Sequence, residues 1–447
     1  MIRVVVLVVL LALLPVAAPI AAGDGGEEIV LERFREYLRL ASVHPTPDYA
    51  ATTRLLLAQA SSIGLQSRVL EYVEGKPLLL FTWTGRDPHL PSVLLNSHTD
   101  VVPAEQPKWV HSPFAAHMDD AGNIFARGSQ DMKCVGMQYL EALRVLKASG
   151  FQPLRSLHVS FVPDEEIGGH DGMEKFVASP LFVELNLGIV LDEGLASPAS
   201  HYRVFNAERS PWWFIIKATG SPGHGSKLFD NSAMENLMIS LESIRRYRKA
   251  QFDLVKAGLA AEGEVVSVNP VYLKAGTSTP TGFVMNLQPS EAEAGFDMRV
   301  SPFTDPSGLE DRLRTEWAPA SRNMTYQFKQ KEPLSSKHGL PLITKADESN
   351  PWWMLLQEAI SEAGGELGKP EIFPAATDCR YIRAQGIPAF GFSPMANTPI
   401  LLHDHNEFLN KEEYLKGIQV YVHIIKSFLS FDNNEHEAVD VNSRAEL

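Results

Sequence analysis

A disulfide framework, repeats and a surplus of positive charge are all missing from this sequence. Cys134 and Cys379 are the only cysteines in 447 residues, too few for a disulfide framework. Lys and Arg total 40 against 54 Asp and Glu, a formal net charge of −14. That balance argues against general binding to a phosphate backbone, which needs a basic face. No internal repeat or low-complexity tract is present. Hydrophobic residues make up 45% and charged residues 21%. These figures exclude a disordered, collagen-like or multi-span membrane chain and leave a globular protein of two or three domains.

The amino terminus stands apart. Arg3 precedes an apolar run from Val4 to Ala22, interrupted only by Pro15 and Pro19 and followed by the polar Gly23-Asp24-Gly25-Gly26. Its strongest part, 4–14, has the length of a signal-peptide core, and Ala17, Ala18, Ala21 and Ala22 supply a small-residue cleavage region. The reading is a signal peptide over 1–22 and a protein of the secretory pathway, retained in the endoplasmic reticulum or secreted. An uncleaved anchor is the competing reading. Asn323-Met324-Thr325 is a glycosylation sequon usable in that compartment.

From Glu27 to about Asn206, amphipathic helices alternate with short apolar strands. Ile29, Phe34 and Leu38, then Leu55 and Leu56, have helical spacing. Strands are expected over 93–95, 157–162 and 188–191, with a helix over 132–148. Little polar interruption within the strands suits a buried parallel sheet, so the fold class is α/β, a mostly parallel sheet flanked by helices. The pattern changes between 211 and 329. A strand over 213–219 and a loop at Ser221-Pro222-Gly223 precede a helical stripe of Met234, Leu237, Leu241 and Ile244. A strand follows over 264–273, and then Ala292, Phe296, Met298 and Val300 alternate with Glu291, Glu293, Asp297 and Arg299. Leu309 and Leu313 suggest a second helix, and 324–328 a last strand. That order is βαββαβ, the split arrangement of a ferredoxin-like unit. Afterwards the α/β pattern returns, with a helix over 352–363, a strand over 389–392 and a closing helix over 412–428. The expected division is a first catalytic part over 23–206, an inserted domain over 207–330, a second catalytic part over 331–432 and a tail over 433–447.

Polar clusters follow the apolar strands. The run at 93–95 leads into His98 and Asp100, 157–162 into Asp164-Glu165-Glu166, and 189–191 into Asp192-Glu193. The strand ending at Phe392 leads to His403-Asp404-His405-Asn406-Glu407, and Arg127 to Asp131 sits just ahead of a helix. The carboxyl ends of parallel strands share one edge, where ligands bind. Carboxylates gathered there need a compensating cation. Histidine and carboxylate without cysteine suits zinc, cobalt or manganese. His98, Asp131, Glu166, Glu193 and His403 supply the count for two metals sharing one bridging carboxylate. Glu165 is then free to take a proton from water, and Asp100 can orient the His98 ring.

The strings NSHTDVVP (96–103), RGSQDMK (127–133), FVPDEEIGGHDGME (161–174), LDEG (191–194), ERSPWW (208–213), PAATDCRYIR (374–383) and LLHDHNE (401–407) resemble the type I aminoacylases of the dinuclear-zinc metallopeptidase superfamily. The resemblance covers about 28–427, and SNPWW at 349–353 belongs to it. It implies a phosphorylase/hydrolase-like catalytic domain and an inserted lid or dimerisation domain. It further implies zinc-dependent hydrolysis of N-acyl-L-amino acids with two zinc ions per subunit. His98, Asp131 and Glu193 would hold one zinc, and Asp131, Glu166 and His403 the other. Asp192 is the alternative to Glu193, while His405 and Glu407 are alternatives to His403. Glu165 would be the general base and then the acid, with Asp100 supporting His98. His224 would reach the partner subunit's site and stabilise the oxyanion, which implies a homodimer built through the inserted domain. Arg380 would clamp the substrate's α-carboxylate, with Asn286 near it. The leader departs from the family, whose animal members are cytosolic.

Several residues have plainer readings beside these. Arg299 could bind a carboxylate, but its strand face also carries Asp297 and Glu293, and a cross-strand ion pair is the plainer reading. Cys134 reads as packing. The pairs Trp212-Trp213 and Trp352-Trp353 could be a substrate wall or core packing. A dipeptidase or carboxypeptidase activity, and a non-catalytic secretory dimer, are the alternative functions.

Overall fold

The apolar runs of the sequence become the middle of an eight-stranded sheet. The computed structural model describes residues 24–432; the expected leader (1–22) and tail (433–447) lie outside the described residues. Helices α1 (Asp24–Arg39) and α2 (Tyr49–Ile63) lead into strands β1 (Gln66–Val73), β2 (Lys76–Trp83) and β3 (Ser92–His98). Next come α3 (Lys133–Ala148), β4 (Leu157–Val162), β5 (Leu187–Asp192) and β6 (Tyr202–Glu208). The chain then forms β7 (Ser210–Thr219), α4 (Ala233–Lys256), β8 (Ser267–Ala275), β9 (Glu291–Val300), α5 (Pro306–Arg312) and β10 (Met324–Lys331). It closes with α6 (Pro351–Glu362), β11 (Leu367–Phe373), α7 (Cys379–Ala384), β12 (Ala389–Phe392) and α8 (Lys411–Ser430).

The large sheet has the order β1-β2-β4-β3-β5-β12-β6-β11. Its centre, β4-β3-β5-β12, is parallel, whereas β2 and β6 run against it. Both faces are covered, which is why the central strands read as apolar runs with little polar interruption. Period-two alternation divides them. Leu79, Phe81, Val93 and Leu95 join one core with Phe34, Leu56, Leu140 and Ile425 from the helices, while Leu78, Leu80 and Leu94 join a second with Phe176 and Ile382. Each such burial contributes about 2 kcal/mol before conformational entropy is counted. Gly136 lets α3 lie close against this sheet. A Cβ there would stand 2.7 Å from both the Phe161 ring and Ser97 Oγ.

The second sheet is antiparallel throughout, in the order β8-β9-β7-β10, with α4 and α5 supplying the helices of the βαββαβ order. Phe214 and Phe296 stack at 5.0 Å, with Trp317 beyond them. Of the expected α4 stripe, Leu237 and Ile244 are buried and Met234 is exposed. The expected loop at 221–223 ends in a short ladder, Gly223 opposite Gln288 and His224 opposite Leu287.

The two tryptophan pairs have different fates. Asn350 caps α6 by accepting the Trp352 N–H (3.1 Å), with Pro351 in its first turn. Trp352 then packs on Phe428 and Phe431, and Trp353 on Phe390. That pair is core. On β7, alternation buries Trp212, whose Nε1 donates to the Glu332 carbonyl (2.9 Å), and leaves Trp213 42% exposed. Among the described residues no helix is long and apolar enough to cross a membrane.

Candidate metal centre

The carboxyl ends of β3, β4 and β5 share one edge of the large sheet, and the chemistry-bearing side chains gather there. His98 ends β3, Glu165 and Glu166 follow β4, and Glu193 follows β5. Asp131 comes from the turn before α3, and His403 from the segment between β12 and α8.

Asp131 lies between two clusters. Its Oδ1 is 3.0 Å from His98 Nε2, which is itself 3.8 Å from Glu193 Oε2. Its Oδ2 is 3.2 Å from His403 Nε2, which is 3.0 Å from Glu166 Oε2. Within each trio the donor atoms all lie within 4.8 Å of one another. His98 Nδ1 donates to the Asp100 carbonyl at 2.9 Å, which turns the ring so that Nε2 faces Asp131 and Glu193. Glu166 Oε1 is buried with no hydrogen-bond partner, a cost that a cation would relieve. These residues fit the group expected of them: a pair of cations held by mixed imidazole and carboxylate donors.

The electrostatics have the same sense. Burial, and then the Asp131 charge, push Glu193 well above the usual carboxylate range, and the same two causes raise Glu166. Burial opposes charge on Asp131 too, but the bonds from His403 and His98 outweigh it and hold that carboxyl low. Bonds to Asp131 and Glu166 push His403 up to about 10. Glu165 is lifted well above its ordinary value, chiefly by burial and further by Asp378 and Glu166. Its Oε1 is 3.7 Å from Arg380 Nη1.

The three alternative ligands of the sequence separate from the trios in space. Asp192 points away from both trios and accepts from Asn96 Nδ2 (3.0 Å) and the Cys379 N–H (3.1 Å). His405 lies 3.8 Å from Glu105. Glu407 is buried and accepts from Arg127 Nη1 (2.7 Å), the Gln130 N–H (2.7 Å) and the Gly128 N–H (3.2 Å), tying the 127–131 turn to the His403 segment. Burial pushes its pKa up to about 7 in spite of Arg127. Replacing Glu407 by alanine is expected to cost about 3–5 kcal/mol by leaving Arg127 buried and unpaired. A fall in Tm of the metal-free protein would register it; an unchanged Tm would contradict this tether.

Asp100 is used differently from expectation. Its carboxylate is 3.7 Å from His98 Nδ1, and the ring is held by the main-chain oxygen instead. The carboxylate accepts the N–H groups of Glu165 (3.2 Å) and Glu166 (3.1 Å) and bonds His44 Nε2 (2.8 Å). Asp164, at a left-handed φ of 64°, is held by the Tyr49 hydroxyl and Lys76 Nζ, both at 2.5 Å. The turn carrying Glu165 and Glu166 is thus fixed from both sides. His44, Tyr49 and Lys76 had no motif to announce them. Arg299 also departs from expectation, because it pairs with Asp297 on its own strand (2.8 and 3.0 Å) and not across the sheet. Cys134 is buried, and its Sγ lies 3.3 Å from the Gln130 carbonyl.

A cavity of about 430 Å³ opens beside the trios. Ile167, Trp213, Phe373 and Leu402 give it apolar walls, and Arg299 and Arg380 line it. Arg380 Nη1 donates to the Thr377 carbonyl (2.6 Å) and Nη2 to the Gly168 carbonyl (2.7 Å). Its planar fork is fixed beside Glu165, with N–H groups to spare. His224 and Asn286 lie elsewhere, both exposed at the short ladder of 223–224 with 287–288, where the Gly225 N–H donates to the Asn286 carbonyl (2.7 Å). Neither lines this cavity within one chain.

A mixed sheet with paired imidazole–carboxylate trios at its carboxyl edge defines a candidate metallohydrolase. The model for peptidase family M20/M25/M40 matches residues 94–427, and the chain belongs to that family. Within it the chain is a homologue of aminoacylase-1: it is 45% identical to aminoacylase-1 of Mus musculus over 398 residues, 89% of this chain and 94% of that one. Two solved structures share the fold at low identity. The M20 family metallo-carboxypeptidase Sso-CP2 from Sulfolobus solfataricus has a TM-score of 0.69 and 17% identity, covering 89% of this chain and 99% of that one. The Bacillus subtilis YXEP protein, a dinuclear metal-binding peptidase, has a TM-score of 0.64 and 15% identity, covering 91% and 99%.

Proposed function

We propose that this protein hydrolyses N-acyl-L-amino acids to a carboxylate and a free amino acid, as a homodimer of the secretory pathway with two zinc ions per subunit. The observation that carries the reading is Asp131, with one carboxylate oxygen in each of two histidine–carboxylate trios. Its family and its aminoacylase-1 relatives supply the substrate class.

His98, Asp131 and Glu193 would hold one zinc, and Asp131, Glu166 and His403 the other. When bound, the pair supplies Lewis acidity toward water and the acyl carbonyl. Glu165 takes the proton of the attacking water and returns it to the amine nitrogen as the C–N bond breaks. Burial favours its protonated form, which suits a group that must hold a proton between the two transfers. Arg380 meets the substrate's α-carboxylate, and the apolar walls of the cavity exclude water from its side chain. His224 of the partner subunit stabilises charge developing on the acyl oxygen, and Asn286 travels with it.

Dimerisation through 207–330 is supported by the outer edge of that sheet. Val271 and Leu273 on β8 are 62% and 63% exposed, and Met238 on α4 is 63% exposed, an apolar edge that a second copy would cover. The secretory compartment rests on the 1–22 leader.

The test compares N-acetyl-L-methionine with a panel of unmodified dipeptides on the zinc-loaded protein. The acyl amino acid is expected to have the higher kcat/KM. A preference for dipeptides would replace this reading with a dipeptidase one, and no turnover of either would leave a binding protein.

A further inference from the structure

We propose that Asn323 carries an N-linked oligosaccharide, a modification that rests on the secretory reading above. Asn323-Met324-Thr325 is the only Asn-x-Ser/Thr triplet without an intervening proline in the sequence. The fold presents it well. Asn323 is exposed on the turn entering β10, at a left-handed φ of 51°, a conformation asparagine adopts more readily than other side chains. The turn itself is fixed, because the Asn323 N–H donates to the Ala320 carbonyl and its carbonyl accepts from the Thr219 N–H, both at 3.0 Å. The side-chain amide makes no hydrogen bond among the described residues, and Thr325 is exposed beside it. Both groups that define an acceptor are therefore available on a rigid protrusion.

The two edges of the small sheet differ in character. The β8 edge exposes Val271 and Leu273, whereas β10 exposes Thr325, Gln327, Lys329 and Lys331. An oligosaccharide at the start of β10 shields the unpaired main-chain groups of a polar edge. It leaves the apolar edge free for a second copy. A cleft lined by Pro319, Ala320, Thr325 and Tyr326 lies beside the acceptor and gives the first sugars an aromatic surface to rest on. Asn323 lines no part of the metal cavity, so the modification is compatible with catalysis.

The transfer uses a lipid-pyrophosphate-linked oligosaccharide as co-reactant. The asparagine amide nitrogen forms a bond to the anomeric carbon, the C–O bond to pyrophosphate breaks, and the amide gives up one proton.

The experiment expresses the full chain with its leader in a eukaryotic secretory cell, beside a leaderless form held in the cytosol. The secreted protein is expected to migrate more slowly, peptide N-glycosidase to restore its mobility and convert residue 323 to aspartate, and the cytosolic form to show neither effect. Thr325→Ala should abolish the shift while leaving N-acyl hydrolysis unchanged. It keeps Asn323 at its positive φ, and Asn323→Gln is the second variant. Export without a sugar on Asn323 overturns the proposal and leaves the secretory reading standing. Retention of the full chain in the cytosol overturns both. Loss of hydrolysis with the sugar present contradicts the catalytic reading alone.

Discussion

Glu165→Gln is expected to keep both metals while kcat falls by roughly a hundred- to ten-thousand-fold, the usual contribution of a general acid–base group. The two side chains are nearly isosteric. The main-chain bonds that fix this turn run from the Glu165 and Glu166 N–H groups to Asp100 and do not involve the Glu165 carboxyl. None of the atoms in either histidine–carboxylate trio belongs to Glu165. The amide retains shape and polarity but cannot accept a proton from water and pass it to an amine. KM should move little, because Arg380 is held by Thr377 and Gly168 whatever occupies position 165. Near-normal turnover with full metal content would remove Glu165 from the mechanism.

Asp131→Ala should have the larger effect on metal content. This carboxylate is the one member common to both trios. Its loss leaves His98 with Glu193 on one side and Glu166 with His403 on the other, two donors apiece where each cation had three. Both metals should be lost and hydrolysis should fall to background. His403→Ala is the informative contrast, since it removes a half-exposed donor from a single trio. Metal analysis of the purified variants reads both. Retention of two metals in Asp131→Ala would show that the trios are not joined through this residue.

Much of this arrangement could be read from sequence because the central strands are covered on both faces. The runs at 93–95 and 389–392 have no polar interruption and 157–162 has only His158 and Ser160, and the side chains that follow them fall on one edge. The edges of the sheet were harder. β1 carries Gln66, Ser67, Arg68 and Glu71 and is mostly exposed, and β11 carries Lys369, Pro370 and Glu371. Strands with one neighbour need little apolar surface, so their sequences do not announce them. Within the site, the convergence of His98, Asp131, Glu166, Glu193 and His403 followed from strand-end position and motif. The direction of the Asp100 carboxylate did not, because beyond the last residue of β3 the pleat no longer sets which way a side chain points. His44 and Lys76 reach the same turn from more than 50 residues before it, linked only by tertiary structure. The proposed reach of His224 into the site of a second copy would be a property of two chains, which one sequence does not encode locally.

The account depends most on a pair of cations on either side of Asp131. Anomalous diffraction at the zinc edge from crystals of the loaded protein tests this directly. Two peaks are predicted in each subunit, one beside His98 and Glu193 and one beside Glu166 and His403. A single peak, or zinc bound away from Asp131 in a protein that still hydrolyses acyl amino acids, would contradict it.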